Sequence, residues 1–329
     1  MKQKLFFPSE DELLASLKRV GDYFAERNIY DIYTNSKIYE LLIADYLDHQ
    51  IVDGHRGTPD AIDVNNHFYE YKHYKLSSSN HSWTFNDFSP QTMETLAHYW
   101  AVIFAVIDDG PAIPHLQEYY WVPAKRTAAF LWERTPDITN QRHMINIRPS
   151  QIEEQQLGRY VHKIPPVRRL HPALEEAFQS ARQLESLTGI SGLLTSNKLW
   201  ELLVARQLGH RLNPAQKAHD AFDEKERTYE YKVSRNESWT FQDISERVLN
   251  KYLTDQEIIL AVVRKGAFRV QEIYHCRPDA VVALLREKLR EKDQRRGTEG
   301  RRQISLGLND LRRLRKDGAI QYELCSIWD

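Results

Sequence analysis

Two segments of this 329-residue chain carry the same three residues, Glu70-Tyr71-Lys72 and Glu230-Tyr231-Lys232. In an extended strand alternate side chains share a face, so the glutamate and lysine of each segment point one way and the tyrosine the other. Ten residues before each glutamate stands an aspartate, Asp60 or Asp220, and seven before it another, Asp63 or Asp223. A hairpin can bring one aspartate of each pair beside the glutamate. Two carboxylates converging on a sheet face are hard oxygen donors suited to Mg²⁺. A lysine beside them can hold or deprotonate an attacking water and offset phosphate charge. That set suffices for metal-assisted hydrolysis of a phosphodiester.

The elements that must position these residues are made twice. Residues 34–44 recur as 195–205, and Asp60-Ala61-Ile62-Asp63 recurs as Asp220-Ala221-Phe222-Asp223. Tyr69-Glu70-Tyr71-Lys72 returns unchanged as Tyr229-Glu230-Tyr231-Lys232, and Ser82-Trp83-Thr84-Phe85 as Ser238-Trp239-Thr240-Phe241. The offset drifts only from 161 to 156 residues, as small loop insertions and deletions would cause. Two copies of domain size are not a solenoid, which needs three or more short units. The expected domains are 1–164 and 165–329, with a seam at Lys163-Ile164-Pro165-Pro166, where two prolines break regular structure.

Apolar periodicity predicts a first helix at 12–25 and 173–187 and a second at 37–47 and 198–208. A hairpin follows, with strands 61–64 and 67–71 about a polar turn at Asn65-Asn66; its second copy turns at 224–227. Ser89 before Pro90 reads as a helix N-cap with proline at the first helical position. Buried strands are expected at 102–107 and 258–263, and further strands at 117–122 and 270–275. The order α-α-β-β-α-β-β-α describes an α/β (α+β) chain: a small mixed sheet flanked by helices, made twice.

Each copy also has a glutamate on its second helix, Glu40 or Glu201. Their helical neighbours Ile43, Ala44 and Leu47, and Val204, Ala205 and Leu208, are apolar. A carboxylate in such surroundings needs a partner, and a metal is one. With Pro59-Asp60 and Glu70-Tyr71-Lys72, the first copy resembles the PD-(D/E)XK nucleases, the superfamily that includes most type II restriction endonucleases. His219-Asp220 with Glu230-Tyr231-Lys232 matches it without the proline. The resemblance spans both halves at motif level. It implies two tandem restriction-endonuclease-like domains and a Mg²⁺-dependent endodeoxyribonuclease, with Mn²⁺ able to substitute. The substrate would be a specific site in double-stranded DNA, cut in both strands by a monomeric pseudo-dimer.

The same resemblance makes Glu40, Asp60, Glu70, Lys72, Glu201, Asp220, Glu230 and Lys232 catalytic, with Asp60, Glu70, Asp220 and Glu230 holding metal. Asp63 and Asp223 are second choices, because a two-residue turn centred between Asn65 and Asn66 would put Asp63 on the face of Glu70. They can equally begin the turn. Alternatives are a low-specificity defence or repair nuclease, or a DNA-binding protein of this fold without catalysis.

Lys+Arg 45 against Asp+Glu 46 excludes a uniformly basic nucleic-acid coat. Residues 264–317 nevertheless hold 16 Lys/Arg against 8 Asp/Glu. There Arg295, Arg296, Arg301 and Arg302, around Gly297 and Gly300, read as a loop lacking matching acids, and hence as candidate phosphate contacts. Thr84 and Thr240 are candidates too, beside tryptophans expected to pack a corner. Two cysteines, Cys276 and Cys325, exclude a disulfide framework and make a reducing cytoplasm the default. The longest apolar run, 101–107, is far short of the roughly 20 residues that span a bilayer, and acidic sequence from Glu10 precludes a signal-peptide core. No Gly-x-x-x-x-Gly-Lys loop for a nucleotide, Cys-x-x-Cys pair or His-Glu-x-x-His motif is present.

Overall fold

The duplication reappears as two runs of elements in similar order. A computed structural model describes residues 8–53, 58–86, 89–135, 144–154, 160–163, 169–215, 219–264, 266–296 and 302–324. The first run is α1 (Glu10–Ala25), α2 (Lys37–Leu47), β1 (Gln50–Ile51), β2 (Ala61–Ile62), β3 (Phe68–Lys75), β4 (Trp83–Phe85), α3 (Pro90–Ala97), β5 (Ala101–Asp108) and β6 (His115–Pro123). It continues through α4 (Ala124–Arg134), β7 (Ile145–Ile147), α5 (Pro149–Glu154) and β8 (Tyr160–Lys163). The second run is α6 (Pro172–Thr188), α7 (Lys198–Leu208), β9 (Arg211–Leu212), β10 (Ala221–Phe222), β11 (Thr228–Ser234), β12 (Ser238–Phe241), α8 (Glu246–Tyr252), β13 (Glu257–Val262) and β14 (Glu272–Cys276). It closes with α9 (Pro278–Arg296), β15 (Ile304–Gly307), α10 (Leu308–Lys316) and β16 (Ile320–Leu324).

Contacts divide the chain into two compact units, Met1–Ile32 with Ser36–Leu184, and Tyr33–Asn35 with Glu185–Asp329. The division falls inside α6; Ile164, Pro165 and Pro166 lie outside the described residues. Unit 1 contains a six-stranded sheet ordered β1-β2-β3-β5-β6-β8, and unit 2 one ordered β16-β14-β13-β11-β10-β9. Within each, a single pair is parallel, β3 with β5 and β11 with β13; the other neighbours run antiparallel. The fold is thus mixed α/β, with helices and mixed sheets in both units.

A parallel pair needs a crossover, and β4 with α3, or β12 with α8, supplies it. Ser89 caps α3 by accepting from Thr92 N, with Pro90 in the first turn; Ser245 caps α8 in the same way through Val248 N. The run Ala101–Ile107 is buried throughout, as suits a strand covered on both faces. Its Val102, Phe104 and Val106 join Trp83, Phe85, Met93 and Leu96 in one core; Ile258, Leu260 and Val262 join Trp239, Phe241 and Leu249 in the other.

Several elements differ from expectation. The Ser-Trp-Thr-Phe segments are strands: β4 pairs with β7 and β12 with β15, each pair a separate two-stranded sheet. Trp83 and Trp239 are fully buried and donate from Nε1 to the carbonyls of Ala105 and Ala261, so these indoles tie the small sheets to the large ones. The basic stretch is not loop throughout, because α9 runs to Arg296. Cys276 is buried; Cys325 lies outside the described residues. Among the described residues no helix is long and apolar enough to cross a membrane.

Candidate active sites

The hairpin register decides which aspartate faces the glutamate. Ala61 pairs with Tyr69 and Ile62 with Phe68, so the turn is centred on Asn65 and Asp60 stands opposite Glu70. In the second unit Ala221 pairs with Tyr229 and Phe222 with Thr228, placing Asp220 opposite Glu230. Each aspartate also anchors the strand beside it: Tyr71 N donates to Asp60 Oδ2 at 2.6 Å and Tyr231 N to Asp220 Oδ2 at 2.8 Å.

Asp63 and Asp223 do different work. Asp63 Oδ1 accepts from the amides of Asn65 (2.8 Å) and His67 (2.9 Å), and its Oδ2 accepts from the Tyr69 hydroxyl (3.0 Å). Asp223 accepts from Lys225 N, Arg227 N and the Tyr229 hydroxyl in the same pattern. These bonds outweigh desolvation and hold both carboxyls far below the usual range. Both aspartates build the turn.

Tyr69 and Tyr71 are buried on one face of β3, leaving Glu70 and Lys72 on the other, half-buried. Lys72 Nζ donates to Glu70 Oε1, and Lys232 Nζ to Glu230 Oε1 at 2.5 Å. Burial would lower both lysines, but the surrounding carboxylates, Glu70 and Asp60 or Glu230 and Asp220 foremost, raise them instead. Both ammonium groups are therefore protonated. The helix glutamates belong to the same cluster electrostatically. Desolvation raises Glu40 to about 7, with Lys72 and Lys37 pulling down and Glu70 pushing up. Glu201 also rises to about 7, by burial first and then by Asp220, against Lys232 and Lys198. Asp60 and Asp220 are raised by burial and then by Glu70 and Glu230 respectively.

Each unit therefore collects a glutamate from its second helix, an aspartate entering the hairpin, and a glutamate and lysine from the following strand. No protein-family model and no curated protein matches this chain.

Oxygen donors of this kind fit Mg²⁺, and the raised carboxyls of Glu40 and Asp60 beside Glu70 are groups whose ionised forms a divalent cation would favour. As the side chains stand, no group of three or more His, Cys, Asp or Glu among the described residues is gathered closely enough to hold a metal. Lys72 and Lys232 occupy an oxygen of the strand glutamate in each unit.

Three features lack a sequence signal of comparable strength. His49 Nδ1 bonds the Tyr71 hydroxyl at 2.8 Å while its ring stacks on Tyr69; His210 does the same with Tyr231 and lies against Tyr229. Burial lowers both histidines and favours the neutral ring. These pairs sit on the tyrosine side of the strand, and only the matching Leu-x-His at each helix end hinted at them. His219, where the first copy has Pro59, bonds through Nδ1 to Asp255 Oδ1 at 2.5 Å, and the Asp255 side chain is wholly buried. Counting from the matched caps Ser89 and Ser245, the first copy has Tyr99 at that position, its hydroxyl pushed up to about 12 by burial and by Glu70 and Asp60. Finally, Lys251 of α8 reaches Glu230 Oε2 at 3.3 Å.

The remaining candidates make other contacts. Thr84 donates to Asn146 Oδ1 at 2.7 Å, and Thr240 bonds Ser305 at 2.9 Å, each across its small sheet. Arg302 does not lack an acid, contrary to expectation: Nη1 is 3.7 Å from Asp293 Oδ2, and Nε donates to the Ile244 carbonyl. Nearby, Arg313 pairs with Glu287 and Lys288 with Asp310, so helix packing pairs part of the local positive excess. Arg295 and Arg296 end α9, whereas Arg301, Gly297 and Gly300 lie outside the described residues.

Proposed function

We propose that the chain is a Mg²⁺-dependent endodeoxyribonuclease of the PD-(D/E)XK type with one hydrolytic site per unit, acting on double-stranded DNA as a type II restriction enzyme. The carrying observation is that Glu40, Asp60, Glu70 and Lys72 recur as Glu201, Asp220, Glu230 and Lys232 with the same backbone anchor and the same lysine–glutamate bond. A lone Glu-x-Lys strand has an ordinary reading as a surface charge pair. Two half-buried copies, each gathering three carboxylates about one lysine, do not fit that reading.

Asp60 and Glu70 would hold the cation in one unit and Asp220 and Glu230 in the other, with Glu40 and Glu201 completing the negative charge around it. Bound Mg²⁺ would polarise the scissile phosphate and make water a better nucleophile. Lys72 and Lys232, being protonated, orient that water and stabilise the developing phosphorane charge rather than accept a proton. Tyr71 N and Tyr231 N hold one oxygen of each aspartate in place, while the strand glutamates must exchange a lysine contact for the cation.

Digestion of supercoiled plasmid of known sequence tests this. Cleavage is expected with Mg²⁺ or Mn²⁺ and not with excess chelator. Lys72→Ala combined with Lys232→Ala should lower the rate at least about a hundredfold while DNA binding persists. Cleavage in chelator, or full activity of the double variant, would sink the mechanism. Discrete fragments support restriction at a defined site, whereas a smear would favour a low-specificity nuclease.

A further inference from the structure

The two strand glutamates are not engaged alike. In unit 2, Glu230 is engaged on both oxygens, by Lys232 at 2.5 Å on Oε1 and by Lys251 at 3.3 Å on Oε2. In unit 1, Glu70 takes Lys72 on Oε1. The residue in the place of Lys251 is Thr95, since both lie six residues after their caps, Ser89 and Ser245. The equivalence holds beyond the helix: Trp100 N donates to Phe68 O and Gln256 N to Thr228 O, both at 2.8 Å and both eleven residues after the cap. The Thr95 hydroxyl turns back onto the Gln91 carbonyl of its own helix at 3.0 Å. Lys37 and Lys198 occupy matching positions in the repeat and act on the helix glutamates Glu40 and Glu201, with Lys37 paired to Asp53 and Lys198 bonded to the Ser191 carbonyl.

We infer that Lys251 is a positioning residue that competes with the divalent cation for Glu230, so that the second site loads more weakly than the first. The inference rests on the nuclease reading above. A cation approaching Glu230 meets an ammonium on each oxygen and must displace or share with both. At Glu70 it meets one. Glu230 is also the more enclosed carboxylate, with 6% of its side chain exposed against 20% for Glu70, so water competes less for its oxygens. At limiting cation the first site would load and cut ahead of the second, leaving a nick in one strand as the intermediate.

Mn²⁺ binding to DNA-free protein, followed by electron paramagnetic resonance of the free ion, tests the inference without relying on cleavage. Glu230→Ala leaves the first site and Glu70→Ala the second. The first variant should bind Mn²⁺ roughly tenfold more tightly than the second, the scale on which groups around a metal ligand act. Adding Lys251→Met to Glu70→Ala should recover most of that difference. Lys251→Thr, which installs the residue of the first copy, should do likewise. Lys251→Arg keeps the charge and should leave binding weak. Equal affinity of the two single variants, no response to Lys251→Met, or tightening by Lys251→Arg as large as by Lys251→Met would each overturn the inference while leaving the nuclease reading intact. Absence of Mn²⁺ binding by the wild-type chain would overturn both.

Discussion

Glu40 lies on a helix whose Ile38, Leu41, Leu42 and Ile43 are buried, and that burial raises its carboxyl from the ordinary 4.5 to about 7. Glu201 behaves alike. A carboxyl raised by folding holds its proton more tightly in the native state. The stability it lends is complete below 4.5 and is lost as pH climbs through 7, at up to about 1.4 kcal/mol per pH unit for each group. Glu40→Gln with Glu201→Gln should therefore raise the thermal midpoint near pH 8 and flatten its decline from about pH 5 upward. A double variant whose midpoint declines in parallel with wild type would show that these carboxyls ionise freely. The glutamates themselves were legible in the sequence, because type, spacing and apolar neighbours recur in both copies. Lys251 and the His219–Asp255 pair were not. They differ between the copies, so a search for identities passes over them, and their contacts exist only once α8 and the hairpin pack on β11.

Elements long enough to show a period were readable. The second helices were expected at 37–47 and 198–208, and they form there; the buried strand expected at 102–107 is the core of β5. Strands of two residues outside the hairpins, β1 and β9, carry no period to read, and the partners of β4 and β12 lie sixty or more residues away in sequence. The hairpin was the closest case. Moving its centre from between Asn65 and Asn66 onto Asn65 exchanges Asp63 for Asp60 on the face of Glu70, and the bonds from Asp63 to Asn65 N and His67 N settle which holds. The two aspartates should separate experimentally. Asp63→Ala loosens the turn and should lower the thermal midpoint by a few degrees while Mn²⁺ still binds. Asp60→Asn keeps an acceptor for Tyr71 N but can no longer supply a carboxylate, so the fold should persist while Mn²⁺ binding at that site is lost. Calorimetric titration of both variants checks this, and the reverse pattern would make Asp63 the ligand.

Two copies of one proposed catalytic set in a single chain predict a division of labour at the scale of the whole molecule. A symmetric dimer cuts duplex DNA by assigning one site to each strand, and a duplicated chain can do the same with sites that have drifted apart in sequence. Glu70→Ala removes a proposed cation ligand from unit 1 and leaves every described contact of the Glu230 cluster in place; Glu230→Ala does the reverse. Local chemistry should fail while remote DNA contacts persist. Each single variant is then expected to be a nickase, converting supercoiled plasmid to open circles that do not become linear. The two variants should nick opposite strands, and the double variant should bind DNA without cutting it. Strand-specific sequencing across the nick reads the outcome directly. If both variants cut the same strand, the units do not serve separate strands. If one of them still linearises plasmid at the wild-type rate, only the other unit's site is catalytic, and double-strand cleavage requires two chains.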